Sequence, residues 1–225
     1  MKHSKRYAEH AKKVDATKTY TLSEAIGMLK EHPVKFDAGV ELHVRVGIDP
    51  SKSDQLVRST VVMPHGTGKS KIVIAFVGPQ HEAEAKAAGA DIIGTEEVIA
   101  QIKTTGKCAF DVAVATPEMM KKLGAVAKIL GQQGLMPSPK TETVGPDVKK
   151  MVSELKGGKI AYRNDDGGNV HILVGRVSFD ETMLTENITA AIESIKKAKP
   201  RDSKGTYLRT VVVSSSMGPG LRVSI

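Results

Sequence analysis

Met63-Pro-His-Gly-Thr-Gly-Lys-Ser-Lys-Ile-Val-Ile-Ala-Phe-Val77 joins one kind of strand to another, and its reading decides how the 225 residues are divided. Before it, Arg58 to Met63 reads as a strand that stops in Pro64-His65-Gly66-Thr67-Gly68, a Gly/Pro cluster with the character of a hinge. After it, Lys71 to Val77 is apolar without alternation, the pattern of a strand covered on both faces. Further upstream the pattern differs. Val40, Leu42, Val44 and Val46 fall on one face of a strand and Glu41, His43 and Arg45 on the other, so that strand is half-buried with a charged open face.

Downstream of Val77, helical and apolar stretches alternate. A Glu/Ala/Lys helix runs to about Ala88, followed by a strand at Asp91 to Ile93, a helix from Glu96 to Lys103, a strand at Phe110 to Ala115 and a helix starting at Pro117. A Gly/Pro loop, Gly131 to Lys140, precedes a last helix at Asp147 to Leu155. This alternation predicts a three-layer α/β unit with a parallel sheet. Gly157-Gly158 is the second hinge signal. Beyond it, strands at Lys159 to Arg163 and Val170 to Val174 flank the turn Asn164 to Gly168, a helix spans about Thr182 to Lys197, and a strand covers Tyr207 to Val213. These match the N-terminal pieces, including a helix opened by the capping box Thr21-Leu-Ser-Glu24 and closed by Pro33. The expected organisation is an α+β domain made from residues 1–65 and 157–225, with an α/β domain of residues 66–156 inserted into it.

The formal charge of +8 favours a polyanionic partner. It is unevenly shared: the inserted segment accounts for +2 and the split domain for +6, so the split domain is the expected polyanion binder. The first 18 residues hold six basic and two acidic side chains, including Lys2, Lys5, Arg6, Lys12 and Lys13. They read equally as a solubilising arm and as a phosphate-contacting one, ahead of the first helix signal. Cys108 is the only cysteine, which excludes a disulfide framework or a thiolate metal cluster and suits a reducing cytoplasm. No apolar run is long enough to span a membrane, and the polar N-terminus does not read as a signal peptide.

Catalytic signatures are missing. His65-Gly-Thr-Gly-Lys-Ser70 has the look of a phosphate loop, but Met63 stands where a glycine is required and a strand follows where a helix should. Gly78-Pro79-Gln80 after the buried strand lacks the dinucleotide GxGxxG fingerprint. The histidines have no metal-binding spacing, and no nucleophile elbow occurs. A nucleotide-binding α/β enzyme is therefore the disfavoured alternative. No cofactor, metal or small-molecule substrate is expected.

The β-branched run Thr210 to Val213 breaks off into Ser214-Ser-Ser-Met-Gly-Pro-Gly220, which sets hydroxyls, a thioether and close-approach glycines side by side without an acid, base or thiol. That is chemistry for touching a surface. With no Trp, four Phe and four Tyr, a base-stacking platform is disfavoured. Shape recognition of folded RNA, with basic side chains on phosphates and small polar groups reaching 2′-hydroxyls, suits the open strand face and the terminal loop.

The segments FDAGVELHVRVGIDP, VVMPHGTGK, LGQQGLMPSPK, YRNDDGGNVH, GRVSF and SSSMGPG occur in the order found in the bacterial ribosomal protein uL1 (L-one) family, and the chain resembles that family over nearly its whole length. The resemblance implies a split ferredoxin-like α+β domain I with an inserted Rossmann-like three-layer α/β/α domain II, and a monomer when free. It implies a structural protein of the large subunit in the cytoplasmic ribosome that binds a 23S rRNA stem-loop at the mobile stalk, contacts exit-site tRNA and assists its release. Many members also repress translation of their own operon by binding its mRNA. Carried over by motif, the RNA-binding residues are Lys35, Phe36, Arg45, Arg163, Asn164, Asp165, His171, Ser215, Ser216, Met217 and Gly218, and Gly66, Gly68, Gly157 and Gly158 are the hinge positions. The chain departs from the family pattern at four places. Ser215-Ser216 stand for Thr-Thr, Ala38-Gly39 for an acid and a hydroxyl residue, Asp166 for a lysine, and Gln132-Gln133 for Pro-Arg.

Overall fold

The structure is a computed structural model that describes residues 4–15, 17–31 and 34–224. Pro33 and Lys2 therefore lie outside the described residues. In chain order the elements are α1 (Lys5–Ala11), α2 (Leu22–Lys30), β1 (Gly39–Val46), β2 (Arg58–Val62), β3 (Val73–Phe76), α3 (Glu82–Ala87), β4 (Ile92–Ile93), α4 (Glu96–Thr105) and β5 (Val112–Ala115). They continue with α5 (Pro117–Leu123), α6 (Ala127–Gln132), α7 (Val148–Lys156), β6 (Lys159–Arg163), β7 (Asn169–Arg176), α8 (Glu181–Lys197), β8 (Leu208–Ser215) and β9 (Leu221–Arg222).

The chain divides into two compact units, one of Met1–Gly68 with Ile160–Ile225 and one of Lys69–Lys159. The crossings fall three residues beyond the positions expected from the glycine pairs. Local bonding explains the first offset. The Asn187 side chain accepts from His65 N at 3.1 Å and donates to Gly66 O at 2.9 Å and to Val174 O at 2.8 Å, which ties the loop to α8 and β7. At the second crossing, Lys159 is held by Glu142 and by Glu154, both of the inserted unit.

In the split unit the four-stranded antiparallel sheet has the order β7-β1-β8-β9, and β2 pairs with β6 in a separate two-stranded sheet. The alternation of β1 holds. Val40, Leu42, Val44 and Val46 are buried in one core with Ile172 and Val174 of β7, Val211 and Val213 of β8, Ile26 and Leu29 of α2, and Leu184, Ile188 and Ile195 of α8. Covering one sheet face with two helices leaves the other face to solvent. α2 begins at the expected capping box: Glu24 N donates to Thr21 Oγ1 at 3.3 Å and Thr21 N to Glu24 Oε2 at 2.9 Å. Glu24 is a structural carboxylate.

In the inserted unit β3 lies between β4 and β5 in a parallel sheet, and all four of its residues are buried. Ile74 and Phe76 pack on one side with residues of α4, α5 and α6, while Val73 and Ala75 pack on the other with residues of α3 and α7. Helices on both faces are why this strand carries no polar alternation.

Four local readings change. The leader contains helix α1, capped by Ser4 Oγ on Tyr7 N and anchored by the buried His10. The expected loop from Gly131 starts late, because α6 runs to Gln132 and a 3₁₀ turn occupies Pro139–Thr141. Strand β8 runs on through Ser214 and Ser215, which pair with Glu41 and Val40. The strands flanking Asn164 to Gly168 share only the Asn164–Val170 bridge before joining different sheets.

Candidate nucleic-acid interface

The open face of the split unit is organised by β1. Its start is fixed through Asp37, whose carboxylate accepts from Ser178 N at 3.1 Å and Ser178 Oγ at 2.8 Å, and whose carbonyl accepts from Arg176 Nη1 at 2.8 Å. With its neighbour pinned, Phe36 stands 56% exposed and Lys35 is exposed beside it. Across the sheet, Ser216 N donates to Gly39 O at 2.9 Å, and Ser216 Oγ donates to Gly39 O at 3.3 Å and to Glu41 Oε1 at 2.8 Å. Gly218 N then closes a turn on Ser215 O at 2.9 Å. The turn presents Met217, 55% exposed, and this apolar side chain has a free surface like that of Phe36. Arg6 Nη2 reaches Met217 O at 3.5 Å, so α1 lies alongside this loop.

Two glycines lie against side-chain ends that a larger residue would have to displace. A Cβ at Gly39 would stand 2.7 Å from Leu173 Cδ1 and 3.0 Å from Ser216 Oγ, and one at Gly218 would stand 2.4 Å from Ser215 Oγ.

The turn from Arg163 to Gly168 separates presenting residues from holding ones. Asn164 is a holder: its Oδ1 accepts from Val57 N at 2.8 Å and its Nδ2 donates to Asp165 O at 2.9 Å. Asp165 is another. Its carboxylate accepts from Asn169 N at 2.6 Å, Gly167 N at 2.9 Å and Asn169 Nδ2 at 3.0 Å, and these bonds, with Asn169 foremost, pull its pKa down to about 2. Arg163 and Asp166 are exposed, as is Arg45 on β1, whereas His171 of β7 projects from the open face. The predicted residues thus come together on one unit. Lys35, Phe36, Arg45, Arg163, His171 and Met217 face outward, and Asn164, Asp165, Ser215 and Gly218 shape the loops.

Sequence reasoning set His43 on the open strand face and Ser214 in the terminal loop, but named neither of them, nor Asp37, among the contact residues. His43 and Glu41 were visible as the polar half of the β1 alternation, but nothing in the sequence linked Asp37 to Ser178 or Ser214 to His43. Burial first, then the His171 imidazole, holds His43 below the usual histidine range, opposed by Glu41.

The candidate hinge glycines are in helix-stop and loop positions. Gly157 caps α7, donating to Ser153 O at 2.8 Å, and Gly158 (φ 100°), Gly66 (φ 63°) and Gly68 (φ 72°) adopt left-handed backbone.

In the inserted unit, β3 leads into a 3₁₀ turn at Pro79–His81 and then α3, whose first turn carries Glu82 and Glu84. Two carboxylates at that end oppose a phosphate. Among the described residues no group of three or more His, Cys, Asp or Glu side chains is arranged to hold a metal ion, and no helix is long and apolar enough to cross a membrane.

Residues 28–219 match the family model described as the Ribosomal protein L1p/L10e family. Among similar proteins are three named Large ribosomal subunit protein uL1. The one from Kosmotoga olearia is 50% identical over 223 residues, covering 99% of this chain and 96% of that protein. That from Mycolicibacterium smegmatis is 51% identical, covering 99% and 94%, and that from Thermobifida fusca 48% identical, covering 99% and 95%. With its open sheet face, its helix-backed core and this match over most of its length, the chain belongs to the Ribosomal protein L1p/L10e family, a family of ribosomal proteins and not of enzymes.

Proposed function

We propose that this chain is a structural constituent of the large subunit of the cytoplasmic ribosome, binding 23S rRNA at the mobile stalk through the open face of its split unit. The observation that carries the reading is the joining of Gly39 to Ser216, which puts the exposed Phe36 and Met217 on neighbouring segments at one end of the sheet. Apolar groups held in fixed loops can pack on sugar and base surfaces, while Arg45, Arg163 and Lys35 meet phosphates. The unit of residues 1–68 and 160–225 serves as the RNA-binding domain and 69–159 as the inserted one, with Gly66, Gly68, Gly157 and Gly158 as the hinge. Stalk movement carried by that hinge would bring the protein to exit-site tRNA and assist its release, and a stem of the same shape in the operon mRNA would make it a translational repressor. The free protein is a monomer.

The test is binding of the intact protein to a stalk rRNA fragment across a salt series. Saturable binding that weakens linearly in log–log form is expected, and Arg163→Ala should lower the slope by about one. Met217→Ala should weaken binding while leaving the slope alone. Absence of saturable, salt-sensitive binding would sink the proposal.

A further inference from the structure

The sheet register brings two imidazoles together in the middle of the open face, His43 of β1 opposite His171 of β7. Their Nδ1 atoms are 2.8 Å apart, with ring centroids at 5.0 Å and planes inclined by 64°. So short a contact requires one nitrogen to carry a hydrogen and the other a lone pair. The surroundings select which. His171 Nε2 faces Asp165 Oδ2 at 3.4 Å, and a carboxylate can only accept, so His171 carries its hydrogen on Nε2 and offers Nδ1 as acceptor. His43 then donates from Nδ1, and its Nε2 accepts from the Ser214 hydroxyl 3.0 Å away. One polarity runs along the row, from Ser214 through His43 and His171 to Asp165.

This row can take one proton without moving a heavy atom. A hydrogen on His43 Nε2 leaves the bond to His171 intact and donates to Ser214 Oγ, whose own hydrogen is released to donate elsewhere. Glu41 Oε2, at 3.8 Å from Nε2, faces the new charge. A second proton has no such place, because both Nδ1 atoms would then carry hydrogens across 2.8 Å. The titratable and charged groups facing His43 are Glu41 and Arg45 from its own strand, His171 from β7, and Asp165 behind His171. β8 contributes the uncharged Thr210, Val212 and Ser214. With both imidazoles neutral, the row carries one net negative charge from Glu41, Arg45 and Asp165. The carboxylates cannot simply swing away: Ser216 holds Glu41, and Gly167 and Asn169 hold Asp165. A row with that charge favours a phosphate less than the same row carrying a proton.

We propose that the His43–His171 pair is a proton-charged phosphate site: a backbone phosphodiester of the bound RNA seats on this row beside Arg45, and one proton enters His43 with it. The inference rests on the reading of this face as an RNA contact. In the free protein, burial and the neighbouring ring hold His43 below the usual histidine range, against the opposing pull of Glu41. The phosphate supplies the counter-charge that makes the proton stay, while the released Ser214 hydroxyl and the Arg45 guanidinium supply donors. By linkage, RNA affinity then rises as pH falls.

The experiment measures affinity of the intact protein for the stalk rRNA fragment from about pH 8 to about pH 6 at fixed salt, together with the imidazole nitrogen resonances of free and bound protein. Wild-type affinity should increase by about three- to tenfold over that range, and the His43 titration midpoint should move upward on binding. His43→Gln should bring the ratio of affinities at the two ends to about one, whereas His81→Gln, in the inserted unit, should leave it as in the wild type. Saturable binding that is flat with pH, an unchanged gain in His43→Gln, or a His43 midpoint indifferent to RNA overturns the proton-charged site and leaves the RNA reading standing. Absence of binding at every pH overturns both.

Discussion

Gly39 shows how a missing side chain bears on the packing where β1 begins. The family resemblance places a hydroxyl residue there, and its Cβ would lie 2.7 Å from Leu173 Cδ1, the movable end of a half-buried side chain, so Gly39→Thr should be met by a rotamer change of Leu173 at a cost of about 1 kcal/mol or less in urea unfolding. Leu173→Ala in the same chain should recover part of that loss, which a double-mutant cycle measures. Ser216 invites the opposite change. Its exposed hydroxyl reaches Gly39 and Glu41, bonds that a threonine keeps, so Ser216→Thr should retain RNA affinity and Ser216→Ala should lower it. Asp165 adds a pH effect of known sign. Its carboxyl is held at about 2 against an ordinary 3.8, so its stabilisation is present above about pH 4 and lost as pH falls toward 2. The stability gap between the wild type and Asp165→Asn should therefore be full at neutral pH and shrink on acidification through that window. The sequence marks Asn164 and Asp165 as polar turn residues. Whether their polar atoms meet solvent or backbone is settled by Val57 and Asn169, and only the fold brings Val57 near.

Among the elements, those with strong local signals were legible and those stabilised by a neighbour were not. α2 was read from its capping box, and β1 from an alternation in which every second side chain is buried. β9 has two residues and exists because it pairs with Val212 and Val213, while Tyr20 N donates to Arg222 O at 2.8 Å. No propensity could announce it. The serine continuation of β8 is the same case, since pairing with Val40 and Glu41 overrides the weak strand preference of serine. α8 contains one polar residue with no exposure at all, Asn187, whose amide ties β7 and the loop at Gly66 to the helix. Asn187→Leu removes these bonds and leaves buried backbone groups unpaired. A loss of about 2–4 kcal/mol is expected in chemical denaturation, with helix content retained in the folded state.

For the whole molecule, the charge is concentrated on the split unit, +6 of the total +8 by the sequence-based division, and every outward-facing candidate residue lies there. Replacing residues 69–159 by a short flexible linker should give a folded protein that keeps most of the affinity for the stalk fragment; total loss of affinity by a still-folded chain would contradict the assignment of binding to that unit. The sequence by itself determined the two kinds of sheet, because a strand covered on both faces cannot carry polar alternation and a strand with one open face must. It also determined the order of the pieces around the insertion, and charge and residue type made a binding face the expectation. The tertiary structure alone decided which polar atoms are spent on the fold and which are free. That question depends on partners more than a hundred positions away, as with His43, His171 and Ser214, and chain-local patterns carry no information about contacts made at that separation.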